Sequence, residues 1–161
     1  MSIIRHAKIE DLPEIQKLNQ ELFDFEAQYI SSYNREWSYS KQGEKYFKQR
    51  LGIETPVNSK LLPFFFVATI DNQIIGYLIG SMGFYPFRTI NPIAEVENMY
   101  VKQDQRRKGV GSALVEAFKK ATKTRGVKLF RVESLENNAV AMDFYRKMGF
   151  IERSIFLEVE A

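Results

Sequence analysis

The sequence predicts one mixed α/β domain, on three observations. Short apolar runs of strand length are interleaved with stretches where apolar residues recur every three to four. The runs suit buried strands and the three-to-four spacing suits amphipathic helices. Asp71-Asn72-Gln73 separates two apolar runs, the layout of a strand hairpin. No repeat, low-complexity tract or Gly/Ser linker divides the 161 residues, so residues 1–161 are expected to form a single domain.

Taken in order, Ser2 to Arg5 begins a strand. Asp11-Leu12-Pro13-Glu14 starts a helix: an Asp cap with Glu three residues on serves exposed backbone donors, and Pro13 falls in the first turn, where its missing N–H costs little. Leu12, Ile15, Leu18, Leu22, Phe25 and Tyr29 follow at helical spacing. A second helix is predicted from Lys41 to Leu51. Phe64 to Ile70 and Ile74 to Met82 form the hairpin, and Asn91-Pro92 breaks the chain before a strand from Ile93 to Val101. Val110, Ala113, Leu114, Ala117, Phe118 and Ala121 then make a helical stripe that Gly126 stops. A strand from Val127 to Glu133 comes next. Ala141, Phe144, Tyr145 and Met148 mark a short helix ended by Gly149, and Ser154 to Val159 is predicted as the last strand.

Composition narrows the chemistry. The chain has no cysteine, which removes disulfides and thiolate nucleophiles, and its one histidine is His6. No metal site is expected. No apolar run approaches the roughly 20 residues of a membrane span, and the N-terminus lacks a signal-peptide layout. The protein is therefore expected to be soluble and cytoplasmic, with no membrane partner. Of the 23 Lys and Arg residues, ten lie between 102 and 131, against two acids, Asp104 and Glu116. Positive charge this local suits a compact polyanion better than a nucleic acid track.

The segment Gln105-Arg106-Arg107-Lys108-Gly109-Val110-Gly111-Ser112 lies between a strand and a strongly periodic helix. A helix start offers unpaired backbone N–H groups and the positive end of the helix dipole. Glycines let a phosphate approach the backbone, and three consecutive cations add full charge. This is an anion site suited to a pyrophosphate. Neither the Walker loop nor the G-x-G-x-x-G fingerprint is met, since Leu114 stands where the third glycine belongs.

A second segment, Asn138-Ala139-Val140-Ala141-Met142-Asp143-Phe144-Tyr145-Arg146-Lys147-Met148-Gly149-Phe150, resembles the N-x-x-A-x-x-[LF]-Y-x-x-x-G-F pattern of the GNAT acetyltransferase superfamily. Arg106 to Gly111 resembles that superfamily's [QR]-x-x-G-x-[GA] acetyl-CoA signature, in the same order and at a typical separation. The specific match covers about residues 93–150.

The resemblance implies the GNAT fold, a curved, mixed, mostly antiparallel sheet with helices on both faces. Its central strands splay apart, and acetyl-CoA, the co-substrate, lies in the opening. It further implies that backbone groups of Met99, Tyr100 and Val101 line the pantetheine arm. Amides of Gln105, Arg106, Arg107, Lys108, Gly109, Val110, Gly111 and Ser112 hold the pyrophosphate, and Asn138 contacts the arm. Tyr145 is expected beside the CoA sulfur, where its phenol donates a proton or hydrogen bond to the leaving thiolate.

An amine with a pKa of about 10.4 arrives protonated and must lose a proton before attack. Glu97, with Glu95 as the second candidate, is expected to serve as base, because both lie on the strand that lines the cofactor; ordinary surface glutamates are the alternative. The expected function is direct transfer of acetyl to a primary amine of a small molecule. A protein or peptide acceptor and a non-catalytic CoA-binding module are the alternatives. Phe23, Phe25, Tyr29, Tyr33, Trp37, Tyr39, Tyr46 and Phe47 form an aromatic-rich segment that reads as core, as an acceptor wall or as a homodimer contact. Residues 23–62 carry five acids (Asp24, Glu26, Glu36, Glu44 and Glu54) against six bases, a balance that gives no sign of a polyamine or aminoglycoside pocket.

Overall fold

Both faces of the central hairpin are apolar, so the sheet must be covered on both sides. In the computed structural model, which describes residues 2–54 and 62–159, strand β2 (Leu62–Ile70) directs Phe64, Phe66 and Ala68 to one face and Phe65 and Val67 to the other. Strand β3 (Gln73–Gly83) pairs with it through a two-residue turn in which Asp71 and Asn72 both adopt positive φ. Asn and Asp tolerate that conformation, and it gives the hairpin the right twist. Strand β1 (Ile3–His6) pairs antiparallel with β2, and β4 (Ile93–Val101) pairs antiparallel with β3. Strand β5 (Leu129–Val132) adds in parallel, giving the order β1-β2-β3-β4-β5. The sheet is thus mixed and mostly antiparallel, as expected.

Helix α1 (Leu12–Glu26) and helix α2 (Lys41–Arg50) cover one face, where Leu12, Ile15, Leu18 and Phe47 meet Phe65, Val67, Tyr77 and Ile79. Helix α3 (Val110–Lys123) covers the other, with Val110, Leu114, Val115 and Phe118 against Phe64, Phe66, Leu78 and Val96. Phe144 and Met148 of helix α4 (Ala139–Lys147) pack beside it. None of these helices is long and apolar enough to cross a membrane.

Two sequence expectations need correction. Asp11 flanks α1, but its side chain does not cap it. The carboxylate instead takes a two-pronged contact from Arg5 at 2.7 and 2.8 Å and the Lys8 N–H at 2.8 Å. A paired, charge-assisted contact outcompetes a single cap bond. Glu14, the expected second half of the capping box, pairs with Lys102 at 2.8 Å. The second correction concerns Ser154 to Val159, which form no strand. Ile155, Phe156, Leu157 and Val159 are 74–94% exposed. Apolar composition alone does not make a strand, because the backbone needs a ladder partner, and among the described residues none pairs with this segment.

Two irregularities shape the middle of the sheet. Ile79 pairs with Asn98 and Gly80 with Val96, which leaves Glu97 as an extra residue in β4, a bulge. β5 pairs with β4 only from Ile93 to Val96. Beyond Val96 the outer edge of β4 has no strand neighbour among the described residues, and this parting is the predicted splay.

Gly80 sits at the bulge because a Cβ there would stand 2.7 Å from both the Phe118 ring and the Glu95 carbonyl. Gly80→Ala should therefore lower stability by about 1–3 kcal/mol through overpacking. Chemical denaturation checks this, and a midpoint equal to that of the parent would contradict it.

Candidate acyl-transfer site

The chain leaves β4 through a short 3-10 turn (Gln103–Gln105) and enters α3 with Arg107 at φ +61° and Gly109 at φ +82°. Alternation of this kind turns successive N–H groups towards one concavity. The first backbone bond into α3 is donated by Ala113 to Gly109. Among the described residues no acceptor takes the N–H groups of Arg107 to Ser112, so a row of donors stands open where the helix dipole is positive. A Cβ at Gly109 would meet nothing within 4 Å, so the surface there is free for a ligand. Gly111 has a different neighbour: its Cβ would lie 3.4 Å from the Phe144 ring, so it serves the approach of α4 to α3.

The three cations at this turn are not equivalent. Arg106 lies over the Tyr100 ring at 5.2 Å and donates from Nε to the Val101 carbonyl at 3.0 Å, fixing the turn to β4. Lys108 is exposed and reaches Gln105 at 3.4 Å, and Arg107 is exposed too. Met99 and Val101 direct their side chains into the core beneath α3. The Val101 carbonyl therefore already accepts one hydrogen bond at this edge. Asn138 caps α4 by accepting the Ala141 N–H at 3.1 Å, which leaves its NH₂ group for another partner.

Tyr145 lies on α4, between the rings of Phe144 and Phe150 at 5.1 and 5.5 Å. Burial, with a smaller contribution from the charge of Glu26, pushes its phenol well above its ordinary value. The group stays protonated, a hydrogen-bond donor at any physiological pH.

Glu95 and Glu97 have partners that sequence reading did not foresee. Arg131 of β5 donates from Nε to Glu95 at 2.8 Å and also holds the Tyr85 hydroxyl at 2.9 Å. Arg50 of α2 donates from Nε to Glu97 at 2.7 Å, and Tyr46 donates to the same carboxylate oxygen at 2.7 Å. Asn98, the next residue, also donates to the Tyr46 hydroxyl, at 3.2 Å. Consecutive strand residues point to opposite faces, and the bulge is what lets Glu97 and Asn98 share one partner.

The chain of polar contacts continues into the core. Asn19 donates to the Tyr77 hydroxyl at 2.8 Å and to Asn98 at 3.5 Å, and accepts from Ser38 at 2.6 Å. Burial and the adjacent Glu97 push the Tyr46 phenol well above its ordinary value, so it too remains a donor. The aromatic segment mostly packs on itself. Trp37 stacks on Phe23 and meets Tyr46 and Phe47 edge-on, while Tyr29 and Tyr39 are exposed. Arg50, Arg131 and Tyr46 carry no local sequence signal, because their roles arise only from tertiary contacts.

Comparisons with known proteins agree with this architecture. Residues 63–152 match the family described as the acetyltransferase (GNAT) domain. An N-alpha-acetyltransferase of Sulfurisphaera tokodaii is 31% identical over 94 residues, which are 55% of this chain and 56% of that protein. A streptothricin acetyltransferase of Escherichia coli is 32% identical over 83 residues, 52% of this chain and 44% of that one. The matched segments thus span about half the length of these curated relatives. Among solved structures, a tetramutant of the BH1408 protein of Bacillus halodurans superposes with a TM-score of 0.79 at 17% identity, covering 99% of each chain. An aminoglycoside 6'-N-acetyltransferase of Acinetobacter haemolyticus gives 0.74 at 19% identity, covering 99% of this chain and 97% of that one. The family match covers more than half of the chain and includes both motifs and the splayed strands, and the chain belongs to the GNAT acetyltransferase family.

Proposed function

We propose that this domain binds acetyl-CoA in the gap beyond Val96 and transfers the acetyl group directly to a primary amine of a small molecule. The observation that carries this reading is the row of open amides from Arg107 to Ser112, which ends one side of the gap, with Tyr145 from α4 as the candidate phenol for the reacting end. A structural relative, AAC(6')-Iy, was solved with the bisubstrate analogue CoA-S-monomethyl-acetylneamine, and the streptothricin and aminoglycoside acetyltransferases also favour a small-molecule acceptor. The name of the Sulfurisphaera relative favours a second reading, in which the acceptor is a peptide N-terminus.

In the proposed complex the pyrophosphate accepts hydrogen bonds from the open amides, with Gln105 to Lys108 supplying the turn and its charge. The pantetheine arm runs along Met99 to Val101 as an added strand, and the Asn138 NH₂ group contacts it. The amine attacks the thioester carbonyl and the C–S bond breaks towards sulfur. A phenol pushed above pKa 10 is a weaker acid than a thiol of about 8.5. Tyr145 therefore steadies the leaving thiolate by a hydrogen bond and does not surrender its proton.

Glu97 and Glu95 were expected as bases. Each carboxylate is already engaged by an arginine, Glu97 by Arg50 and Glu95 by Arg131, and is less free to meet an incoming amine. Their proposed part is to fix the acceptor side of β4 and lend it negative potential.

Incubation of acetyl-CoA with a broad amine panel should release CoA, and silence across the panel would overturn the reading. Faster turnover of N-terminal peptides than of small amines would favour the peptide acceptor. Tyr145→Phe should lower kcat about 10- to 100-fold, the loss of one hydrogen bond to a charged group of about 1.5–3 kcal/mol, with acetyl-CoA affinity unchanged; an unaltered kcat removes Tyr145 from the mechanism. Gly109→Val forces a β-branched residue into left-handed backbone. It should weaken CoA binding at least about tenfold by calorimetry, and undiminished affinity would place the phosphates elsewhere.

A further inference from the structure

The sheet-facing stripe of α1 does not end on a hydrophobic residue. Ile15, Asn19 and Leu22 recur at the spacing of one helical face, and the next position is Glu26. Side-chain contacts fix how this face crosses the sheet: Glu14 meets Lys102 at 2.8 Å and Asn19 meets Asn98 at 3.5 Å, so α1 runs antiparallel to β4. Seven further residues carry the helix about 10 Å beyond Asn19, a length of about three strand residues. That puts Glu26 over the stretch Glu95 to Glu97, where β4 and β5 part.

Other contacts agree with this position. Phe23, one turn earlier, packs on Trp37 and Tyr33 at 5.4 and 5.5 Å. Burial first, and the charge of Glu26 to a lesser extent, raise the phenols of Tyr145 of α4, Tyr77 of β3 and Tyr33. Glu133 and Glu158 also act on Tyr33.

Glu26 differs from its neighbours in one respect. Glu95 and Glu97 each hold an arginine, and on α1 Glu14 holds Lys102 while Glu21 accepts from Tyr100. Among the described residues, no cation within ion-pair distance belongs to Glu26. A half-buried carboxylate without a cation favours either a proton or a positively charged visitor.

We infer that Glu26 is the acceptor-side catalytic base of this site, the carboxylate that receives the acceptor's ammonium group and takes its proton. The inference rests on the acetyl transfer proposed above. Burial raises the Glu26 carboxyl from its ordinary value, the direction that a general base working near neutral pH needs.

The step balances as follows. The ammonium gives one proton to the Glu26 carboxylate, and the freed lone pair forms the C–N bond to the acetyl carbon. The C–S bond breaks with its electron pair on sulfur, held by the Tyr145 phenol. The second proton shed by the nitrogen as the amide forms goes to the thiolate, and Glu26 returns its own proton to water. The products are the amide, the CoA thiol and one proton.

The test is the pH dependence of kcat/KM for Glu26→Gln and Glu26→Asp beside the parent, on an amine of known pKa, with acetyl-CoA affinity measured by calorimetry. The parent should show a plateau between the Glu26 ionisation and that of the amine. Glu26→Gln should fall at least about 100-fold at neutral pH and lose the plateau, its rate climbing about tenfold per pH unit with the fraction of neutral amine. Acetyl-CoA affinity should stay at the parent value, and Glu26→Asp should restore the plateau at a lower rate. A Glu26→Gln variant with parental rates overturns the inference. So does a slow variant that keeps the plateau, which marks a merely structural role. A parent that turns over no amine overturns the acetyl-transfer reading, and this inference with it.

Discussion

The parting of β4 from β5 after Val96 is the constraint on which the site depends. Up to that point the two strands share a parallel ladder of four residue pairs. Beyond it, β4 continues for five residues with one edge uncovered, and the chain then turns directly into α3. A bare strand edge is ordinarily a liability, because its N–H and C=O groups seek another extended chain. Here the bare edge leads to bare amides at the start of α3, interrupted where Arg106 holds the Val101 carbonyl. An extended molecule ending in phosphates has the matching pattern. The bulge at Glu97 supports the arrangement by turning Glu97 and Asn98 towards a single tyrosine.

The face under α1 and α2 is held by a polar network as well as by its apolar cluster. From Ser38 through Asn19 to Tyr77 and Asn98, then through Tyr46 to Glu97 and Arg50, side chains from α1, α2, β3, β4 and the turn before α2 are joined. Among the described residues no buried side-chain polar atom lacks a partner. A fully satisfied network in a low dielectric fixes geometry more tightly than apolar packing, because removing any member leaves a desolvated group behind. Glu26 stands at the end of this face, outside the network.

Much of this was legible in the sequence where the signal is local. The span of β4 agrees with the predicted Ile93 to Val101, and the Asp71-Asn72 turn and the start of α3 follow from residues adjacent in the chain. Where a distant partner competes, local reasoning failed. Asp11 reads as a helix cap until Arg5 is seen to claim its carboxylate. Ser154 to Val159 reads as a strand until its ladder proves absent. For Glu95 and Glu97, candidate bases in the sequence, the partners Arg131 and Arg50 come from other elements and carry no local signal. Glu26 is masked for another reason: the apolar residues Phe25 and Tyr29 continue the helical spacing around it, although it occupies the next sheet-facing position after Leu22.

A crystal structure of the protein with acetyl-CoA tests the central claim most directly. The account predicts pyrophosphate oxygens about 3 Å from the amides between Arg107 and Ser112, the pantetheine arm along Met99 to Val101, and the thioester sulfur facing the Tyr145 hydroxyl. A cofactor bound away from the gap, or a gap without cofactor at saturating concentration, would contradict it.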